Sequence, residues 1–245
     1  MTVSTVAVKG EKEPPPLIQI KGLGLRRNDR WLFRGVDLNV EPGKFVAVVG
    51  PSGVGKTSFL NCLAGMVEPT EGEILFCCRP DCPHRPVEFQ HRLGMIFQNF
   101  NLVPNASLLN NVLCGRLSAY HWARTLMGFP SRDRQEAFAL LHDLGLGGCA
   151  RRWAAEVSGG EQQRTAVARA LFQEPGLFLA DEPVSNLDRY FSGRVLGILR
   201  QQAREQKRSV FCVLHNPEFV EMFADVVLSF DPMDGSQWKL REIQS

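Results

Sequence analysis

Gly50-Pro51-Ser52-Gly53-Val54-Gly55-Lys56-Thr57 combines glycines, a lysine and a hydroxyl in the pattern G-x-x-x-x-G-K-[ST]. Gly50, Gly53 and Gly55 let the backbone curl so that successive N–H groups face inward, and a helix opening at Lys56 adds its positive end. Both features suit a polyphosphate. Lys56 would reach its β and γ phosphates, and Thr57 would offer its hydroxyl to Mg²⁺, a hard cation that prefers oxygen ligands. The plainer alternative is a glycine-rich turn that merely opens a helix. Average composition gives the pattern in roughly one chain of this size in a hundred, and the setting between a buried strand and a helix makes chance rarer still.

Two adjacent acids, Asp181 and Glu182, follow the apolar run Leu177 to Ala180. Asp181 suits the outer shell of Mg²⁺, and Glu182 could polarise a water that attacks the γ phosphorus. His215 follows the apolar strand Ser209 to Leu214, where an imidazole could hydrogen-bond the γ phosphate or that water. Gln98 follows Leu93 to Phe97, and its amide can both accept from water and reach a metal. Solvated strand-end charges, a satisfied core histidine and an ordinary loop glutamine are the competing readings. A further element, Val157-Ser158-Gly159-Gly160-Glu161-Gln162-Gln163-Arg164, opens a helix running to about Gln173. Ser158 and Glu161 match a capping box, which needs no ligand. Yet two glycines in the first turn lower helix propensity by about 1 kcal/mol each and bare backbone donors to something that comes close. An external phosphate is the natural candidate.

These residues need a scaffold, and hydrophobic patterning predicts one. Val36 to Val40 alternates, Glu41-Pro42-Gly43 is a turn, and Phe45 to Val49 reads as a fully buried strand ending at Gly50. Helices are expected over Lys56 to Gly65, Arg132 to Leu144 and Asp188 to Glu205. Short strands are expected at Glu73 to Phe76, Leu93 to Phe97 and Val226 to Leu228. Strands vanish between Gln98 and about Gly160, so this block reads as a helical insert. The order implies an α/β fold with a mostly parallel sheet. In such a sheet ligands collect at the carboxyl edge, where Gly50, Gln98, Asp181 and His215 all fall.

Composition bounds the rest. The 245 residues are 44% hydrophobic, enough for one large domain or one domain with an insert. Net charge is +2 from 28 basic and 26 acidic residues, without the one-signed excess of a nucleic-acid coat protein. Seven scattered cysteines with no secretory signal before them read as cytosolic thiols. Met1 to Pro16 reads as a loose tail, and no apolar run approaches the roughly 18 to 20 residues a bilayer-crossing helix needs.

Taken together and in this order, the phosphate loop, Gln98, Ser158 to Gln163, Asp181-Glu182, Ser185-Asn186-Leu187-Asp188 and His215 resemble the ATP-binding subunits of ABC transporters, over roughly Leu17 to Phe230. The resemblance implies an ABC ATPase domain over 17–230, a P-loop NTPase core with an N-terminal antiparallel β subdomain and a helical subdomain inserted at about 98–160, followed by a short C-terminal tail (231–245). It implies ATP and Mg²⁺ as ligands, the latter held by Thr57, Gln98 and Asp181. Nucleotide contacts would come from Gly50, Pro51, Ser52, Gly53, Val54, Gly55, Lys56, Thr57 and Ser58. Ser158, Gly159, Gly160, Glu161 and Asp188 would contribute from a second copy in a head-to-tail dimer. Glu182, His215 and Gln98 would carry hydrolysis. Transmembrane permease subunits, and through them a substrate-binding protein, are the implied partners, at the cytoplasmic face of the inner membrane.

Three features depart from the family's usual pattern: the signature segment, the segment expected at adenine, and the C-terminal tail. Val157 stands where leucine is usual and Glu161 where glutamine is. Arg26 and Arg27 stand where an aromatic ring usually stacks on adenine, leaving Trp31 or a guanidinium for that task. The tail from Asp231 lacks the usual glycine-rich hairpin. Phe97 to Leu102, Asn110 to Leu117 and Trp122 resemble the phosphonate importer ATPases, which implies a small oxyanion as cargo carried by the partners. Cys77, Cys78, Cys82 and His84 invite a zinc reading, but without a second C-x-x-C half they read as an unmetallated turn. Arg132, Arg134, Arg151 and Arg152 read as a solvated helix face. Other importers, an export or lipoprotein-release complex, a soluble ABC ATPase and a P-loop kinase are the alternatives. The Ser158 to Gln163 segment and His215 disfavour the kinase.

Overall fold

A strand with five consecutive apolar residues has no polar face to give to water, so it must be covered on both sides. Phe45–Val49 is such a strand, and the computed structural model places it at the centre of the molecule. The structure describes residues 17–77, 83–120, 128–231 and 237–243. In chain order these form β1 (Leu17–Arg27), β2 (Arg30–Val40), β3 (Phe45–Val49), α1 (Lys56–Leu63), β4 (Glu71–Cys77), β5 (Pro83–His84), α2 (Pro86–Phe89) and β6 (Leu93–Ile96). There follow α3 (Leu108–Leu113), α4 (Ser131–Asp143), α5 (Gly159–Gln173), β7 (Leu177–Ala180), α6 (Arg189–Gln206), β8 (Ser209–Val213), α7 (Pro217–Phe223), β9 (Val226–Phe230) and β10 (Trp238–Glu242).

Two sheets result. The larger has the order β10-β9-β3-β8-β7-β6, parallel except for the antiparallel edge strand β10. The smaller, β2-β1-β4-β5, is antiparallel. Side chains of β3 alternate between two cores: Val46 and Val48 face α1 and the small sheet, and Phe45 and Ala47 face the helices of the other side. α1 is pinned between the sheets by aromatic contacts. The Phe59 ring meets Phe33 of β2 at 5.7 Å and Phe230 of β9 at 5.5 Å, both edge-on. Such pairs contribute about 0.5–1.5 kcal/mol beyond burial and fix where the helix begins.

Between β6 and α5 the described residues form no strand, only helices, turns and a single bridge between Ser107 and Trp153. Leu108, Val112, Ala137, Leu141 and Val167 pack α3, α4 and α5 into one apolar cluster. Asn111, buried within it, accepts from the Val103 N–H at 2.8 Å and donates to the carbonyls of Val103, Ala106 and Ser107. Every polar atom of its amide is used, which fixes the link from β6 into the helical block.

The structure extends the sequence reading at both ends. β2 begins six residues earlier than the alternating stretch, because Gly35 at φ 63° and a register shift interrupt the alternation. The C-terminal segment contains β10, paired residue for residue with β9 from Trp238↔Phe230 to Glu242↔Val226. Residues 1–16, Cys78, Cys82 and Trp122 lie outside the described residues.

Candidate functional site

β3 ends at Val49, and the chain turns through Gly50 at φ 147°, Gly53 at φ 78° and Gly55 at φ 111° before α1 begins at Lys56. Gly55 is the helix N-cap in a left-handed conformation, and a Cβ there would lie 3.1 Å from the Leu32 Cβ. Glycine is required both by the angle and by the close approach. The loop borders an open cleft of about 280 Å³ lined by Leu32, Ser52, Gly53, Gly55, Lys56, Thr57, Ser58, Gln98 and Glu182. Lys56 is buried at its rim and donates to the carbonyls of Gly50 and Pro51, each at 2.8 Å. Burial pushes its ammonium pKa down, against the opposing charges of Glu182 and Asp181.

The neighbouring strands deliver the other polar groups to the same edge. β7 ends in Asp181, only 4% exposed, whose Oδ1 has no hydrogen-bond partner. Burial pushes this carboxyl up, opposed by a hydrogen bond with Thr57; Glu182 raises it further, and Lys56 and His215 pull it back. Glu182 lies at φ 50°. Its Oε1 is 2.7 Å from His215 Nε2, delivered by the end of β8, and its Oε2 accepts from Gln98 Nε2 at 3.3 Å, delivered by β6. Two expected residues, His215 and Gln98, thus converge on the carboxylate of a third, Glu182, at the cleft's mouth.

The remaining expected residues do not join this cluster. The cleft's lining includes none of Ser158, Gly159, Gly160, Glu161 or Asp188. Ser158 is the N-cap of α5. Its Oγ accepts from the Glu161 N–H at 3.3 Å, while Glu161 Oε2 accepts from the Ser158 N–H at 2.8 Å and hydroxyl at 3.0 Å. A Cβ on Gly160 would lie 3.1 Å from the Asn186 carbonyl oxygen, so its absence serves packing within the chain. A Cβ on Gly159 would have nothing within 4 Å. Asp188 caps α6, its Oδ1 accepting from the Phe191 N–H at 2.9 Å. Pro51 and Val54 hold the loop's shape through a Val54 N–H to Pro51 carbonyl bond of 3.4 Å.

The region expected to meet adenine is a tight hairpin with Asn28 and Asp29 at positive φ. Trp31 pairs with Arg26 across it and carries the Arg34 guanidinium 4.6 Å above its ring, while Leu32 is the residue of this strand that lines the cleft. Sequence reasoning did not single out Leu32. It also left unassigned Arg169, which donates to the carbonyls of Phe100 at 2.8 Å and Asn101 at 2.5 Å. Among the described residues no three His, Cys, Asp or Glu side chains cluster as a metal site, and Cys77 is a free thiol.

The sequence pattern of the family described as ABC transporter matches residues 33–185, a range that holds the phosphate loop, Gln98, Ser158 and the Asp181-Glu182 pair. The chain belongs to that family. Its domain is an ABC ATPase that binds nucleotide. Among curated relatives, the phosphonates import ATP-binding protein PhnC of Nitratidesulfovibrio vulgaris is 38% identical over 80% of this chain and 76% of its own. The protein of the same name from Bdellovibrio bacteriovorus is 38% identical over 87% and 84%. Among solved structures, an ATP-binding cassette in a dimeric post-hydrolysis state bound to ADP and Pi is 26% identical, with a TM-score of 0.80 over 93% of this ABC ATPase and 99% of that chain. No helix among the described residues is long and apolar enough to cross a membrane.

Proposed function

We propose that this ABC ATPase energises import of a phosphonate or a related small oxyanion, as a peripheral subunit at the cytoplasmic face of the inner membrane. Its partners are a second copy of itself, transmembrane permease subunits and, through them, a substrate-binding protein. The cargo reading rests on the names of the PhnC relatives and on the Asn110 to Leu117 run. The dimer reading rests on the absence of Ser158 to Glu161 from the lining of the cleft and on the dimeric cassette that this chain resembles.

The observation that carries hydrolysis is the convergence of His215 and Gln98 on the Glu182 carboxylate beside the phosphate loop. Glu182 takes a proton from water as the water oxygen bonds to the γ phosphorus and the bond to the β-phosphate oxygen breaks, leaving ADP and phosphate. His215 fixes the carboxylate's direction and hydrogen-bonds the γ phosphate. Lys56 turns from the loop carbonyls to the phosphates, and the N–H groups of Gly50 to Ser58 cradle them. Asp181 fits an oxygen-seeking divalent cation, because its Oδ1 is buried and unpartnered beside Thr57. Thr57, Gln98 and Asp181 would hold Mg²⁺, which supplies neutralisation of phosphate charge when bound. From a second copy, Ser158, Gly159 and Gly160 would close over the γ phosphate, with Asp188 at the contact.

The test is Glu182→Gln. ATP affinity should remain within about threefold of the parent while hydrolysis falls by on the order of 10² or more. Undiminished turnover would place the base elsewhere.

A further inference from the structure

Glu182 is held in the left-handed region at φ 50°, a conformation that a glutamate keeps only where its surroundings enforce it. The shortest hydrogen bond to its carbonyl comes from one buried side chain, and the Ser185 N–H adds a bond of 3.3 Å. Gln163, in the second turn of α5 and 0% exposed, donates from Nε2 to the Glu182 carbonyl oxygen at 2.8 Å. Its Oε1 accepts from the Asn186 N–H at 3.0 Å. The single amide thus clamps both ends of the five-residue turn 182–186. Ser185 Oγ provides a second, longer side-chain bond of 3.2 Å to the same Glu182 carbonyl.

Five residues before Gln163 on the same helix is Ser158, the N-cap. One rigid element therefore carries both the serine and the clamp on the backbone that aims the Glu182 carboxylate at His215 and Gln98. We infer that Gln163 is a positioning residue, which sets the Glu182 carboxylate and transmits displacement of the head of α5 to it. This rests on the reading of Glu182 as the hydrolytic base. Gln163 itself does not touch the reacting atoms.

Gln163→Met keeps length and volume but loses both hydrogen bonds. Steady-state ATP hydrolysis by the full chain is measured alongside the stoichiometry of ATP binding and the unfolding midpoint. The expected result is a kcat per ATP-binding site lowered about 10- to 100-fold, the scale of a small misplacement of a catalytic group, with KM within about twofold. Ser185→Ala should lower kcat less than about threefold alone but more than multiplicatively when combined with Gln163→Met, because both side chains hold one carbonyl. The inference is overturned if kcat per site is unchanged, if activity falls only in proportion to lost ATP-binding sites, or if KM alone rises. If Gln163→Met does not yield folded protein, Gln163→Asn, whose shorter amide cannot span both contacts, is measured by the same criteria. Normal turnover in Glu182→Gln would defeat the underlying reading; a defective Glu182→Gln beside an unaffected Gln163 variant would defeat this inference alone.

Discussion

Glu161 stands where the family usually has glutamine, and its carboxylate accepts from both the N–H and the hydroxyl of Ser158. The Ser158 backbone N–H is the main reason its pKa is lowered, against burial, with help from the Ser158 hydroxyl and from Arg164 and Arg152. It is therefore an anion at neutral pH. In the dimer proposed above, the γ phosphate seeks those same donors and meets a like charge. Glu161→Gln should relieve about 1 kcal/mol of repulsion per site and lower the ATP concentration needed for half-maximal hydrolysis by about fivefold. ATP titrations of turnover check this, and an unchanged or higher requirement would mean that Glu161 does not face the phosphate. At this scale Glu182, His215, Gln98 and Asp181 were legible because each ends an apolar strand, and a parallel sheet gathers such ends at one edge. The contacts of Gln163 and Arg169 were not. Their partners, Glu182 and Phe100, lie 19 and 69 residues away and are backbone carbonyls, which carry no side-chain signal.

Among the elements, the start of β3 depends on a link that local pattern does not show. Asp225, just before β9, accepts from the Phe45 N–H at 2.8 Å through Oδ2 and from Arg200 of α6, with Oδ1 2.6 Å from Nη2. Burial favours protonation of Asp225, but the Arg200 and Phe45 hydrogen bonds and the charges of Arg200 and Lys44 outweigh it and hold its carboxyl below the usual range. A depressed folded pKa contributes stability above the unfolded value, near 3.8, and that contribution is lost as pH falls through the folded value. Asp225→Asn should cost roughly 2 to 3 kcal/mol at pH 7, less than a fully buried pair because the side chain retains 18% exposure. The gap in unfolding midpoint between parent and variant should narrow as pH falls below the unfolded value and through the folded one; a gap independent of pH would assign the loss to packing. The strands that lead into the phosphate loop and the Asp181-Glu182 pair were readable because β3 and β7 are uniformly apolar. β10 was not, since most of its side chains are exposed and its order comes from backbone pairing with β9.

For the whole molecule, the decisive geometry is that the residues at the head of α5 do not line the phosphate cleft. Within one chain Ser158 is already capped by Glu161, and a Cβ on Gly159 has open space around it. No intrachain contact therefore explains the second feature, whereas a neighbouring copy bringing a phosphate against the helix would. This separates folding from assembly by one substitution. Gly159→Asp places a carboxylate in the first turn of α5, where the helix dipole favours it, so the unfolding midpoint should stay within about 2 °C of the parent. The same carboxylate would repel an incoming phosphate. In a Glu182→Gln background, which should accumulate the ATP-bound dimer, light scattering after size exclusion should show dimer with ATP and Mg²⁺ for the parent and monomer for the Gly159→Asp chain. A dimer that persists with Gly159→Asp would mean that the head of α5 does not meet the partner's nucleotide, however well the single chain folds around its own cleft.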